Sequence, residues 1–97
     1  YIRYYSNNGL VVDVDTIIGK KFPWSWTNPA SNTCSIYPSA YDAQNILTHE
    51  QGHWMGGDDE YGASYVNNTL YGYGAKGEVK KDTLTSGDIK GVQAIYP

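Results

Sequence analysis

Two consecutive glycines, Gly56-Gly57, sit between a run with helical periodicity and a run of three acids, in the stretch HEQGHWMGGDDEYG over residues 49–62. Glycine adopts the left-handed backbone that ends helices without a side-chain penalty, so the helix upstream must stop there and the chain must reverse. Upstream, Ala43, Ile46, Leu47 and Trp54 recur at helical spacing, and Ser39-x-x-Asp42 reads as a capping box. These signals predict a helix from about Ser39 to about Met55.

Both histidines of the chain lie inside that helix, at positions 49 and 53. Residues four apart share one helical face, so His49 and His53 can direct two imidazole nitrogens at one ion. Glu50 falls about 60° round the axis from His53. Its carboxylate is thus placed beside a metal rather than on it, where it can accept a proton from a metal-bound water. The glycine reversal returns Asp58 or Asp59 toward the imidazoles, giving two nitrogens and one carboxylate oxygen with a fourth position open, as catalytic zinc requires. The bland alternative is a solvated helix face followed by solubilising charge. The helical context, the glycine hinge and the confinement of both histidines to H-E-x-x-H favour the metal. Gly52 adds to this, since a glycine inside a helix costs about 1 kcal/mol against alanine and calls for a packing reason.

The rest of the chain frames this helix. YIRYY, the turn SNNG and LVVDVDTII read as a β-hairpin, with Asn8-Gly9 supplying the positive φ angles of a tight turn and Asp13 and Asp15 marking a wet face. The Pro-, Ser- and Asn-rich stretch from Lys20 to Tyr41 reads as an irregular connection, with Trp24 and Trp26 plugging the edge of the core. Tyr61 to Lys81 has no period and reads as a functional loop. Thr85-x-x-Asp88 caps a second helix whose buried stripe is Ile89, Val92, Ile95 and Tyr96. At 97 residues this is a single α+β domain over residues 1–97 with a modest core. A net charge of −3, with only seven Lys and Arg, argues against nucleic acid as the partner, and no apolar run spans a membrane. Ten tyrosines and many Asn and Gly suit a secreted or cell-surface protein. Cys34, the one cysteine, reads as a packed thiol before an inhibitory thiolate or a dimerisation site.

HEQGHWMGGDD matches H-E-x-x-H-x-x-G-x-x-D, with His49, Glu50, His53, Gly56 and Asp59 in register. It resembles the metzincin zinc peptidases in the variant with aspartate as third ligand. LTSGDIKGVQAIYP is similar to the closing helix of the matrixin branch, and DTIIGKKFPWSW and TLYGYGAKGEVKKDTLTSGDI are similar to segments of small prokaryotic matrixin-like peptidases. The resemblance implies a reduced zincin-like fold, a small twisted sheet packed on the active-site helix plus a C-terminal helix. It implies zinc held by His49, His53 and Asp59, Glu50 as general base and then acid, and a protein or peptide substrate paired along an edge strand such as YIRYY. Leu70 in TLYGY stands where metzincins carry the methionine below the zinc, and keeps an apolar floor. Tyr71 and Tyr73 are candidates for substrate binding, and Asp88 stands where matrixins meet a charged mature N-terminus. Calcium is a further candidate cofactor at Asp13, Asp15 or the GDDE run.

The resemblance is incomplete. Matrixin-like domains carry more chain before the hairpin, so the sheet is expected to be reduced, or completed by a preceding segment or by a second copy in a dimer. No third histidine remains for a second, structural zinc. The function implied is a zinc-dependent endopeptidase; the rival is a catalytically inactive, zinc-stabilised binding or inhibitory module derived from one.

Overall fold

The computed structural model describes residues 2–34 and 39–96 as a small α+β domain with two helices and three two-stranded sheets. The hairpin forms where the sequence places it. Strands β1 (Ile2–Asn7) and β2 (Leu10–Thr16) pair antiparallel around Asn8 and Gly9, whose φ angles of 53° and 79° are the two positive values of a type I′ turn. The register slips between Tyr5 and Ser6, a bulge that leaves Val12 without a directly opposed partner. The distal end carries Leu10, Val11 and Val12 in solvent, so only the base of this arm is packed.

At that base two side chains tie the arm to helix α1 (Ala43–Trp54): the Tyr4 hydroxyl donates to the His53 carbonyl, and the Trp54 indole donates to Thr16 Oγ1 at 2.9 Å. The connection after the arm is irregular, as expected, but holds three short pairings. Strand β3 (Trp24–Ser25) runs parallel to β6 (Tyr41–Asp42), and β4 (Thr27–Asn28) runs antiparallel to β5 (Thr33–Cys34). Trp24 is half-buried against Tyr41, whereas Trp26 is exposed and does not plug the core. Residues two apart on one strand share a face, so the difference comes from the break after Ser25: Trp26 lies between β3 and β4, outside both pairings. Cys34 is buried, its thiol 3.6 Å from the Ala40 carbonyl, which fits the packed-thiol reading.

Helix α1 starts later than Ser39. Asp42 is itself the N-cap, extended at φ −75° and ψ 118°, and its carboxylate accepts the Asn45 N–H at 2.9 Å. Pairing of Tyr41 and Asp42 with β3 keeps the chain extended up to that point. The helix ends as the glycines dictate. Gly56 has a φ of 93°, its N–H bonds the His53 carbonyl at 3.0 Å, and the Gly57 N–H bonds the Gly52 carbonyl at 3.3 Å, the paired bonds of a Schellman stop.

The centre beneath α1 is polar. Asn45 is fully buried; its carbonyl oxygen accepts the Lys81 N–H at 2.7 Å, and its amide donates to Glu78 at 3.1 Å. The Lys81 ammonium, also buried, is satisfied by Glu78 and by the Tyr73 carbonyl at 2.6 Å. Thus the 3-10 turn Lys80–Asp82 is fastened to α1 by hydrogen bonds where the apolar spacing suggests hydrophobic packing. Helix α2 (Ser86–Ile95) departs further from expectation. Its capping box of Thr85 and Asp88 is present, but Ile89, Val92, Ile95 and Tyr96 are all exposed. An open groove of about 560 Å³ separates α2 from α1, so the predicted stripe is unburied among the described residues. No helix among the described residues is long and apolar enough to cross a membrane.

Candidate metal centre

The helix turn from 49 to 53 and the glycine reversal bring three side chains to one point. His49 Nε2 and His53 Nε2 are 3.2 Å apart, and Asp59 Oδ1 lies 3.1 Å from the first and 3.2 Å from the second. Ligands bound at about 2.0–2.2 Å with tetrahedral angles are separated by about 3.3 Å, so this triangle has the size of one face of a zinc tetrahedron. Asp58, the other aspartate the reversal was expected to offer, is not in it.

The backbone fixes which imidazole nitrogen is available. His49 Nδ1 is 2.7 Å from the Thr69 carbonyl, and His53 Nδ1 is 2.8 Å from the Gly57 carbonyl. A carbonyl can only accept, so each Nδ1 carries a proton, and in the neutral ring each Nε2 presents a lone pair. Two lone pairs and a carboxylate oxygen within 3.2 Å of one another repel unless a proton or a metal ion stands among them. The histidine side chains are 12% and 16% exposed and that of Asp59 is 39% exposed, which leaves the point approachable from the aspartate side. Among the described residues no other group of three His, Cys, Asp or Glu side chains could hold a metal ion. On the arm, Asp13 takes the Val14 N–H and Asp15 the Tyr5 hydroxyl.

Leu70 fills the space below the last turn of α1. A Cβ on Gly52 would meet Leu70 Cδ2 at 2.6 Å, and one on Gly57 would meet Leu70 Cδ1 at 2.3 Å. This supplies the packing reason that a mid-helix glycine requires. The loop carrying Asp59 is stitched to the turn carrying Leu70 by a parallel bridge, with Glu60 N–H on the Leu70 carbonyl and Gly72 N–H on the Glu60 carbonyl, both at 2.8 Å.

Glu50 is half-buried on the flank of α1 nearest the arm, where it edges a small cavity with Thr16, Ile18, Trp24 and Leu47. Negative charge gathers along this side. Partial burial, then Asp58 and Glu50, raises the Tyr4 phenol above its ordinary pKa; Asp59 does the same, as the largest cause, to exposed Tyr61. Tyr71 is half-buried and Tyr73 exposed; the rings of Tyr61 and Tyr71 meet Tyr73 edge-on at centroid distances of 5.2 and 5.7 Å, which makes an aromatic patch beside the loop that carries Asp59. Sequence reasoning passed over Tyr61, although its position two residues after Asp59 was a signal. It also passed over Thr69, for which no local signal exists, because its part is played by a backbone carbonyl.

Asp88 faces the same region through the backbone. Its two oxygens accept the Thr69 N–H at 3.0 and 3.1 Å, and one also accepts the Thr85 N–H at 2.7 Å. Compared with known protein families, curated proteins and solved structures, the chain matches none.

Proposed function

We propose that this chain is a zinc-dependent endopeptidase with a reduced metzincin-like fold of the matrixin type. One observation carries the reading: both Nδ1 atoms are committed to carbonyls, which turns both Nε2 lone pairs and Asp59 Oδ1 onto a single point at zinc-ligand spacing. Soft-to-borderline nitrogen donors with one carboxylate, in a three-ligand set with an open side, suit zinc better than calcium, which takes six to eight oxygens. Zinc bound there supplies Lewis-acid polarisation of a carbonyl and acidification of a water. His49, His53 and Asp59 hold it. Glu50 takes the proton of the attacking water and passes it to the leaving amine. Tyr71 and Tyr73 offer ring faces and hydroxyls to an extended peptide, and the outer edge of the arm offers it backbone pairing.

The decisive experiment measures zinc content together with chelator-sensitive turnover of a quenched peptide, in the parent and in Glu50→Ala. The expected variant retains zinc and loses about 10²- to 10⁴-fold in turnover, the usual contribution of a general base. Turnover equal to the parent's would remove Glu50 from the reaction. In a metal titration Asp59→Ala should bind zinc more weakly while Asp58→Ala binds it as the parent does, and the opposite pattern would move the third ligand by one residue.

A second reading, a non-catalytic zinc-stabilised binding or inhibitory module, is favoured by the thin core. Among the described residues only Cys34 and Ala40 are buried apolar side chains. A small domain with so little buried apolar surface gains much of its stability from a metal staple. Zinc without turnover in the same assay would select this reading.

A further inference from the structure

Helix α2 is hydrogen-bonded to the rest of the protein at its N-terminal end. Its apolar residues line an open groove, and nothing lies within 4 Å of where a Cβ on Gly91 would stand. What holds it is a polar clasp on the Asn68–Thr69 turn. Asp88 accepts the Thr69 N–H with both oxygens, and the Thr85 hydroxyl lies 2.7 Å from Asn68 Oδ1. Gly87 lets the turn come close, since a Cβ there would stand 3.0 Å from the Asn68 amide nitrogen. The other side of the turn belongs to the metal centre. Thr69, 3% exposed, presents its carbonyl to His49 Nδ1 at 2.7 Å and its hydroxyl to the Lys81 carbonyl at 3.1 Å.

We infer that docking of α2 and occupancy of the His49–His53–Asp59 site are coupled through Thr69, with Asp88 a positioning residue for His49; this rests on the zinc reading above. The reason is geometric. The Thr69 N–H and carbonyl belong to one residue, so displacing it from Asp88 also displaces the acceptor that fixes the His49 tautomer and ring orientation. Groups that orient a ligating histidine change metal affinity by about 10- to 100-fold when removed. Coupling between two equilibria is reciprocal, so a bound metal that holds His49 in place must in turn hold Thr69 and, through it, α2.

The test is hydrogen exchange over residues 86–95 in the zinc-loaded parent and after chelation, with zinc affinity measured by chelator competition. Chelation should speed exchange of α2 by about 5- to 150-fold, the usual range of such coupling. Asp88→Ala should weaken zinc binding about 10- to 100-fold, and Asp88→Asn, which keeps an acceptor oxygen for the Thr69 N–H, should recover part of that loss. The cobalt-substituted Asp88→Ala protein should show a shifted ligand-field spectrum, a change that loss of a helix cap alone would not cause. A parent that binds zinc but whose α2 exchanges equally with and without it overturns the coupling, as does zinc affinity in Asp88→Ala within twofold of the parent. A parent that holds no zinc overturns the zinc reading along with it. The exchange experiment needs only the parent, so it decides the matter even if the Asp88 variants fail to fold.

Discussion

Helices α1 and α2 carry the same kinds of signal, a side-chain cap at the start and apolar residues at helical spacing, yet they end in different surroundings. Asn45 of α1 is sealed into a hydrogen-bonded centre with Lys81 and Glu78, and the helix closes on a Schellman stop. Every apolar residue in the α2 stripe is exposed. Caps and stops are local chemistry, written within four residues of where they act. What covers a helix face depends on segments distant in the chain, and periodicity says only that some cover is wanted.

That contrast can be broken by substitution. The largest effect is expected at Asn45→Ala, which strips the Lys81 N–H of its acceptor in a buried setting and removes one of the two donors to Glu78, the Lys81 ammonium remaining. At about 1–3 kcal/mol for the orphaned N–H and about 1 kcal/mol for the bond lost to Glu78, the loss should reach roughly 2–4 kcal/mol in denaturant unfolding, and a loss below about 0.5 kcal/mol would mean that the polar centre contributes little. Gly56→Ala comes next. A Cβ there would meet only Ile95 Cδ1, at an ordinary 3.7 Å, so the cost is the left-handed backbone at φ 93°, about 1–2 kcal/mol. The smallest effect belongs to α2: Val92→Ser should shift stability by no more than about 0.5 kcal/mol. A larger loss there would show that the groove closes in solution and would erase the difference between the two helices.

The legible features were those whose cause is local. Asn8-Gly9 announced the arm, Gly56-Gly57 the helix stop, Thr85 and Asp88 the second cap, and the four-residue spacing of His49 and His53 their common face. The beginning of α1 was misread because Ser39-x-x-Asp42 satisfies a capping pattern on paper. Parallel pairing of Asp42 with Ser25, seventeen residues earlier in the chain, holds the backbone extended past Ser39. Burial of Asn45 and exposure of Trp26 and Ile89 were likewise beyond reach, since each depends on partners far along the sequence. In the candidate centre the side chains His49, His53 and Asp59 could be read from their motif. The acceptors that orient the imidazoles could not, because a carbonyl oxygen is common to every residue and leaves no trace in composition.

Leu70 occupies at once the hollows above Gly52 and Gly57, so positions 52, 57 and 70 share one fixed volume. A methyl group gained at either glycine must be given back by the side chain at 70. Sequences that keep this fold should therefore vary at the three sites together, and a chain with alanine at 52 and valine at 70 should fold better than one with alanine at 52 alone.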